Sequence, residues 1–467
     1  MKKIISALLL LAMVLSLCAC GTSGDSNEGK MEGLNVGFGR ETITPDFSVG
    51  LGGYSDNETR KSESVLDYIY ATCIAVTEGD QTILIYTLDS LAAAQSTVDK
   101  VRDLVSPATG VPADHIYVLA THTHSAPSLL NSGEEDAQYE ALFYNAIQVA
   151  GEQAMADRAP ATMSVGTTTI EGMNFIRHYL LEDGTYAGPS FGDFNSAPIK
   201  EHVGTNDPRM NLLKFDRTDE SKQDIVMMNW QAHPANAGTN GYNNISADFI
   251  GGLRSKFEKE TKTLLAYFTG ASGNQVVNSK ILSEKHQFKP KQYGEELAKH
   301  AIEALPKLQS VEGTAIKTTT FNFDAEIDHS WDNMLSQANE IYDLWKTTDL
   351  DTGNAAAKKY DFTSVYQARA IRTRAAKPAT ETMVLNAFCI GNVGFVTGVY
   401  EMFSEQGIYI RDNSPFPVTF VLTGNSGYIP SAAAYDYRSY ESDTGMYAKG
   451  TAEKLAEKYV EMLKGLQ

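Results

Sequence analysis

The chain has 467 residues, enough to bury a large core, and 42% hydrophobic with 21% charged residues is the balance of a globular protein. Its formal charge of -19 leaves no basic stripe to neutralise phosphates, which argues against nucleic acid as a partner.

The N-terminus reads as an export signal. Lys2-Lys3 precedes an apolar stretch from Ile4 to Leu17 that is too short to span a bilayer comfortably. It closes in Leu17-Cys18-Ala19-Cys20-Gly21, which resembles the lipobox of bacterial lipoproteins. That resemblance implies a signal peptide over 1–19, lipid on Cys20 and an exported protein held on the membrane, facing outside the cytoplasm. Residues 20–33 are rich in Gly, Ser and Asn and read as a flexible tether. The remainder, 34–467, is expected to be a single catalytic domain. Cys73 and Cys389 sit in apolar runs and are expected to be buried free thiols rather than a disulfide.

Strand-length apolar runs follow at Ala71 to Val76, Thr82 to Thr87, Ile116 to Ala120, Ile225 to Trp230, Leu264 to Thr269, Met383 to Ile390, Gly394 to Gly398 and Pro417 to Leu422. Helical periodicity marks Asp136 to Arg158, Ser246 to Glu260, Gln292 to Leu308, Ser330 to Thr347 and Gly445 to Leu466. The alternation predicts an α/β fold with layered mixed sheets flanked by helices. Ser246 is the expected cap of its helix, and Asp183 to Asp207 reads as a long surface excursion of the kind that serves as a lid.

Strand-to-loop junctions carry the candidate chemistry. Ile116 to Ala120 runs into Thr121-His122-Thr123-His124-Ser125, and alternation along a strand would point both imidazoles the same way, as a metal or catalytic site. Trp230 is followed by Gln231-Ala232-His233-Pro234. Gly394 to Tyr400 leads into Glu401, read as the opening of a helix, and Val418 to Leu422 leads into a polar loop containing Gly427-Tyr428.

Taken in this order, with Val36-Gly37-Phe38-Gly39, Ile43-Thr44-Pro45 and Gly53-Tyr54 upstream and Tyr435, Tyr440 and Glu441 downstream, these segments resemble the neutral ceramidases. The resemblance implies a zinc amidase acting on ceramide, releasing fatty acid and a sphingoid base, with one zinc held by His122, His233, Glu401 and Tyr428. It further implies that His124, Arg177 and Tyr440 face the substrate, and that Asp89 orients a ligand. Borderline zinc accepts imidazole and oxygen donors, so no cysteine is needed. No protein partner is implied.

Three departures qualify the match. The family's Pro-Gly-Glu is Val399-Tyr400-Glu401 here, and its Gly-Asp-Val-Ser-Pro-Asn is Gly273-Asn274-Gln275-Val276-Val277-Asn278, which removes any serine nucleophile at that place. A counterpart of the family's immunoglobulin-like C-terminal domain is not expected. The alternatives are a surface metallohydrolase of another amide or ester, and a ligand-binding lipoprotein without turnover.

Overall fold

The computed structural model describes residues 33–54, 60–129, 134–237, 242–283 and 287–467. The expected signal segment, Cys20 and the expected tether up to residue 32 lie outside the described residues.

In chain order the principal strands are β1 (Leu34–Thr42), β2 (Tyr70–Glu78), β3 (Gln81–Leu88), β4 (Ile116–Ala120), β5 (Ala159–Thr169), β6 (Arg209–Arg217), β7 (Ile225–Trp230) and β8 (Leu264–Thr269). They form one sheet in the order β8-β7-β6-β5-β1-β2-β3-β4, with Gln309–Ser310 added on β5. A second sheet follows in the order β9 (Ile316–Glu326), β10 (Thr380–Ile390), β11 (Val393–Gly398) and β12 (Val418–Thr423).

Four layers result. Ile74, Val76, Ile85, Tyr117 and Leu119 point from the large sheet onto Phe388, Phe395 and Phe420 of the small one. Their neighbours Cys73, Ala75, Leu84, Tyr86 and Val118 point the other way, under helices α1 (Gln95–Thr109), α2 (Glu134–Ala156), α3 (Phe249–Thr261) and α4 (Pro290–Ala304). Strands buried on both faces read as continuous apolar runs, which is why the sequence discloses them. Gly37 and Gly39 on β1 permit α2 to lie against the strand, since an added Cβ would fall 2.0 Å from Ala154 O and 1.9 Å from Ala150 O. Helices α5 (Leu335–Thr347), α6 (Leu350–Lys359) and α7 (Val365–Ala375) build a separate small core. Helices α8 (Ser404–Asn413) and α9 (Thr451–Lys464) cover the outer face of the small sheet.

Several expectations are corrected. Helix α3 is capped by Asp248, whose carboxylate accepts from Phe249 N at 2.6 Å; Ser246 lies outside it and donates to Asp67 at 2.6 Å. Glu401 does not open a helix. It sits in a two-residue strand that pairs parallel with Tyr428–Ile429, and α8 starts at Ser404. The 183–207 excursion is partly ordered into a three-stranded sheet of Tyr179–Leu181, Tyr186–Ala187 and Ile199–His202. Cys73 and Cys389 are buried and free, as expected.

Candidate active site

The two sheets contain three parallel strand pairs, β3 with β4, β7 with β8, and β11 with β12. Each needs a crossover, and α1, α3 and α8 supply them. Parallel pairs of this kind collect functional residues beyond their carboxyl ends. His122 and His124 follow β4, His233 follows β7, Glu401 follows β11 and Tyr428 follows β12. Polar side chains fasten these ends together: Asn425 donates to Ala120 O at 3.0 Å, and Thr269 to Thr121 O at 2.7 Å.

The imidazoles converge, though not by strand alternation. His122 has a φ of 70°, a left-handed kink just past β4 that re-aims its ring. Its Nε2 lies 3.0 Å from His233 Nε2 and 3.3 Å from His124 Nε2, and the last two are 3.1 Å apart. His122 Nδ1 donates to Leu91 O at 2.6 Å and His233 Nδ1 faces Ser272 O at 3.3 Å, so both rings present an Nε2 lone pair inward. Glu401 Oε2 stands 3.2 Å from His122 Nε2, buried and without a hydrogen-bond donor among the described residues. Burial first, then His122 and the Arg177 charge, hold both His124 and His233 well below the ordinary 6.5.

Acceptor atoms facing one another at these distances repel unless a cation lies among them. A proton is disfavoured by the burial just described. The three histidines form a group able to hold a metal ion, and the nitrogen and carboxylate donors suit zinc. The donor set therefore fits the expected metal. The residue sets implied by the resemblance meet here, with His124 as near the cluster as the two histidines assigned to the metal.

Behind Tyr428 lies a charged network. Arg177 Nε donates to Glu441 Oε1 at 2.7 Å and Arg177 Nη2 to the Tyr428 hydroxyl at 3.1 Å. His178 Nε2 meets Glu441 Oε2 at 2.9 Å and His178 Nδ1 the Tyr437 hydroxyl at 2.8 Å. Burial alone would raise the Glu441 carboxyl, but His178 and Arg177 overcome it and pull it down to about 2. Burial likewise opposes the Arg177 charge, yet Tyr428 and Glu441 raise its pKa above the ordinary value. Burial pushes the Tyr428 hydroxyl well above its ordinary 10, against the pull of Arg177.

A cavity of about 680 Å³ opens onto the cluster, lined by His122, His124, His233, Arg177, Glu401, Tyr428 and Tyr440 among others. Asp89 is elsewhere: it is buried against Arg254, with oxygens 2.9 and 3.0 Å from Nη2, and accepts from Tyr70 N at 2.9 Å. Its neighbour Ser90 holds the backbone of His122, accepting from His122 N at 2.9 Å. The altered Gly273 to Asn278 stretch is scaffold. Gln275 O accepts from His233 N at 2.8 Å, and Asn274 is bonded to Ser404 and Glu405. Sequence reasoning gave no role to Glu441, Tyr366 or Arg369. For Glu441 the only signal was its place in the resemblance, because its partners are 264 and 263 residues away.

No protein-family model matches the sequence, and no curated protein matches it. Among solved structures the chain is similar to neutral ceramidase from Pseudomonas aeruginosa, with a TM-score of 0.66 at 16% identity over 93% of this chain and 75% of that one. A ceramidase complexed with C2 gives the same TM-score and identity over 93% of this chain and 76% of that one. The molecule has the mixed α/β fold of the neutral ceramidases.

Proposed function

We propose that the protein is a zinc-dependent amidohydrolase that cleaves an N-acyl bond, with ceramide as substrate if that of its fold neighbours is kept. The observation that carries this reading is the convergence of buried acceptors: the inward Nε2 lone pairs of His122 and His233 and the orphaned Glu401 Oε2, with His124 Nε2 3.3 Å and 3.1 Å from the two histidines. His122, His233, Glu401 and Tyr428 would hold the metal. When bound, zinc lowers the pKa of its water towards neutrality and polarises a carbonyl.

The chain's own groups do the rest. Leu91 O and Ser272 O fix the tautomers of His122 and His233. Arg177, its Nε and Nη2 tied down by Glu441 and Tyr428, keeps Nη1 for the oxygen that gains negative charge as the amide carbon becomes tetrahedral. His124, beside the metal cluster, is placed to relay a proton to the leaving amine. The Tyr440 hydroxyl donates to the same reacting centre.

We place the enzyme outside the cytoplasmic membrane on a lipid at Cys20, on the strength of the Lys2-Lys3 and Leu17 to Gly21 pattern. The function is tested by fatty-acid release from ceramide by wild type, His122→Ala and Glu401→Ala. Release by wild type and its loss in both variants, with unchanged circular dichroism, is the expected result. Full activity in either folded variant would sink the mechanism. Activity on other amides alone would redirect the substrate.

A further inference from the structure

Helix α7 presents Tyr366 and Arg369, three residues apart and so on one helical face, to the catalytic cavity. Arg369 is exposed and forms no ion pair among the described residues; its guanidinium carbon lies 5.6 Å from the centre of the Tyr366 ring. Tyr366 meets Tyr440 edge-on at 5.9 Å, and Tyr440 meets Tyr428 at 6.0 Å. A ladder of three phenol rings thus leads from Arg369 to the Glu401–Tyr428 pair.

The charges around the cavity are otherwise spent. Arg177 is matched by Glu441, and Glu401 belongs to the acceptor cluster. Arg369 is left as an unneutralised cation at the cavity in a chain of formal charge -19. The lining is also thin in large aliphatic side chains, Leu91 and Val276 standing against Tyr54, Tyr242, Tyr366, Tyr428 and Tyr440. A planar guanidinium held near a ring is matched by an oxyanion, bidentately by a carboxylate.

Building on the amidohydrolase reading, we propose that Arg369, positioned beside Tyr366, is a specificity determinant that selects an N-acyl amide bearing an oxyanion over a neutral one. The substrate class is then the N-acylated amino or sulfonic acid, cleaved by water to a carboxylic acid and a free amine that keeps its anionic group.

The test compares N-dodecanoylglycine and N-dodecanoyltaurine with neutral N-dodecanoylethanolamine on the zinc-loaded full domain. Wild type is expected to prefer an anionic probe by roughly tenfold or more in kcat/KM, through KM, as one charge-assisted contact would give. In Arg369→Gln the ratio is expected to fall to about one, and Arg369→Lys to recover part of it. Preference for the glycine conjugate alone identifies a carboxylate, and preference for both a general oxyanion. A wild-type ratio near one, or an unchanged ratio in Arg369→Gln, overturns the proposal. Calorimetric binding of the same probes to the chelator-treated protein separates the two readings. Charge-selective binding that depends on Arg369, without hydrolysis of any probe, sinks the amidohydrolase reading while upholding Arg369 as the selector of the anionic group. Equal binding of charged and neutral probes, or none, overturns that role.

Discussion

Glu441 is buried between Arg177 and His178, and its carboxyl is pulled from an ordinary 4.5 to about 2. A carboxyl depressed in the folded state stabilises fully above its unfolded pKa, and that stability is lost as pH falls towards the folded value. Glu441 is therefore expected to contribute on the order of 3 kcal/mol above pH 4.5, lost between 4.5 and about 2. Thermal melts across that window should show a steep loss of Tm in wild type and a shallower one in Glu441→Gln; equal slopes would contradict the assignment. The same substitution frees Arg177 and should lower kcat by roughly 10- to 100-fold, the usual cost of losing a supporting partner. Arg177→Met should cost more, about 10²- to 10³-fold in kcat with KM little changed. Steady-state kinetics on one substrate checks both. The ends of apolar runs drew attention to His122, His233 and Glu401, but it was the resemblance that implied their metal role. The role of Glu441 was not legible, because a buried charge is explained only by partners that the chain brings from far away in sequence.

The parallel strand pair is the element that builds the site, and the loops leaving each pair carry its tolerances. Gly53 shows how tight they are. It has a φ of +106°, and a Cβ there would lie 2.8 Å from His124 Cα. Gly53→Ala should destabilise by more than about 1 kcal/mol and displace His124, so activity should fall further than Tm implies. Denaturant melts with parallel kinetics check this; a loss of stability with full activity would show the loop to be independent of the site. Of the strands buried on both faces, β4 and β8 were readable to the residue, whereas β1 and β6 were not, because Asn35, Gly37 and Gly39 or Asn211 and Lys214 interrupt their apolar runs. The sequence reading did not name β9, which has mostly polar and half-exposed residues, or α6, whose Leu350 to Lys359 offers almost no large apolar residue. The kink at His122 and the short pairing of Glu401 with Tyr428 also escaped it, since neither leaves a periodic signature.

At the scale of the molecule, the packing of one sheet on the other sets the distance between the two halves of the site. His122, His124 and His233 follow strands of the large sheet, and Glu401 and Tyr428 follow strands of the small one. An aromatic contact crosses between the sheets, Tyr117 stacked on Phe388 at 4.5 Å, and it is backed within the small sheet by Phe388 on Phe395 at 4.5 Å and Phe395 on Phe420 at 5.0 Å. Phe395→Ala should cost about 3–5 kcal/mol and loosen this register. Zinc bound across both halves should then raise Tm by mass action, and by less in Phe395→Ala than in wild type. The layered class was readable from alternating runs, whereas the face-to-face order of the sheets was not, because a strand buried on both sides does not say which neighbour lies on which side.

If the buried acceptors around His122 hold the metal that hydrolysis needs, activity and bound metal must rise together. The most direct measurement is titration of zinc into chelator-stripped protein, with bound metal and hydrolysis of an N-acyl amide followed together. Hydrolysis that is absent at the start and rises to a plateau at one zinc per chain is the expected result. Full hydrolysis by the stripped protein, or zinc uptake that His122→Ala leaves unchanged, would contradict the account.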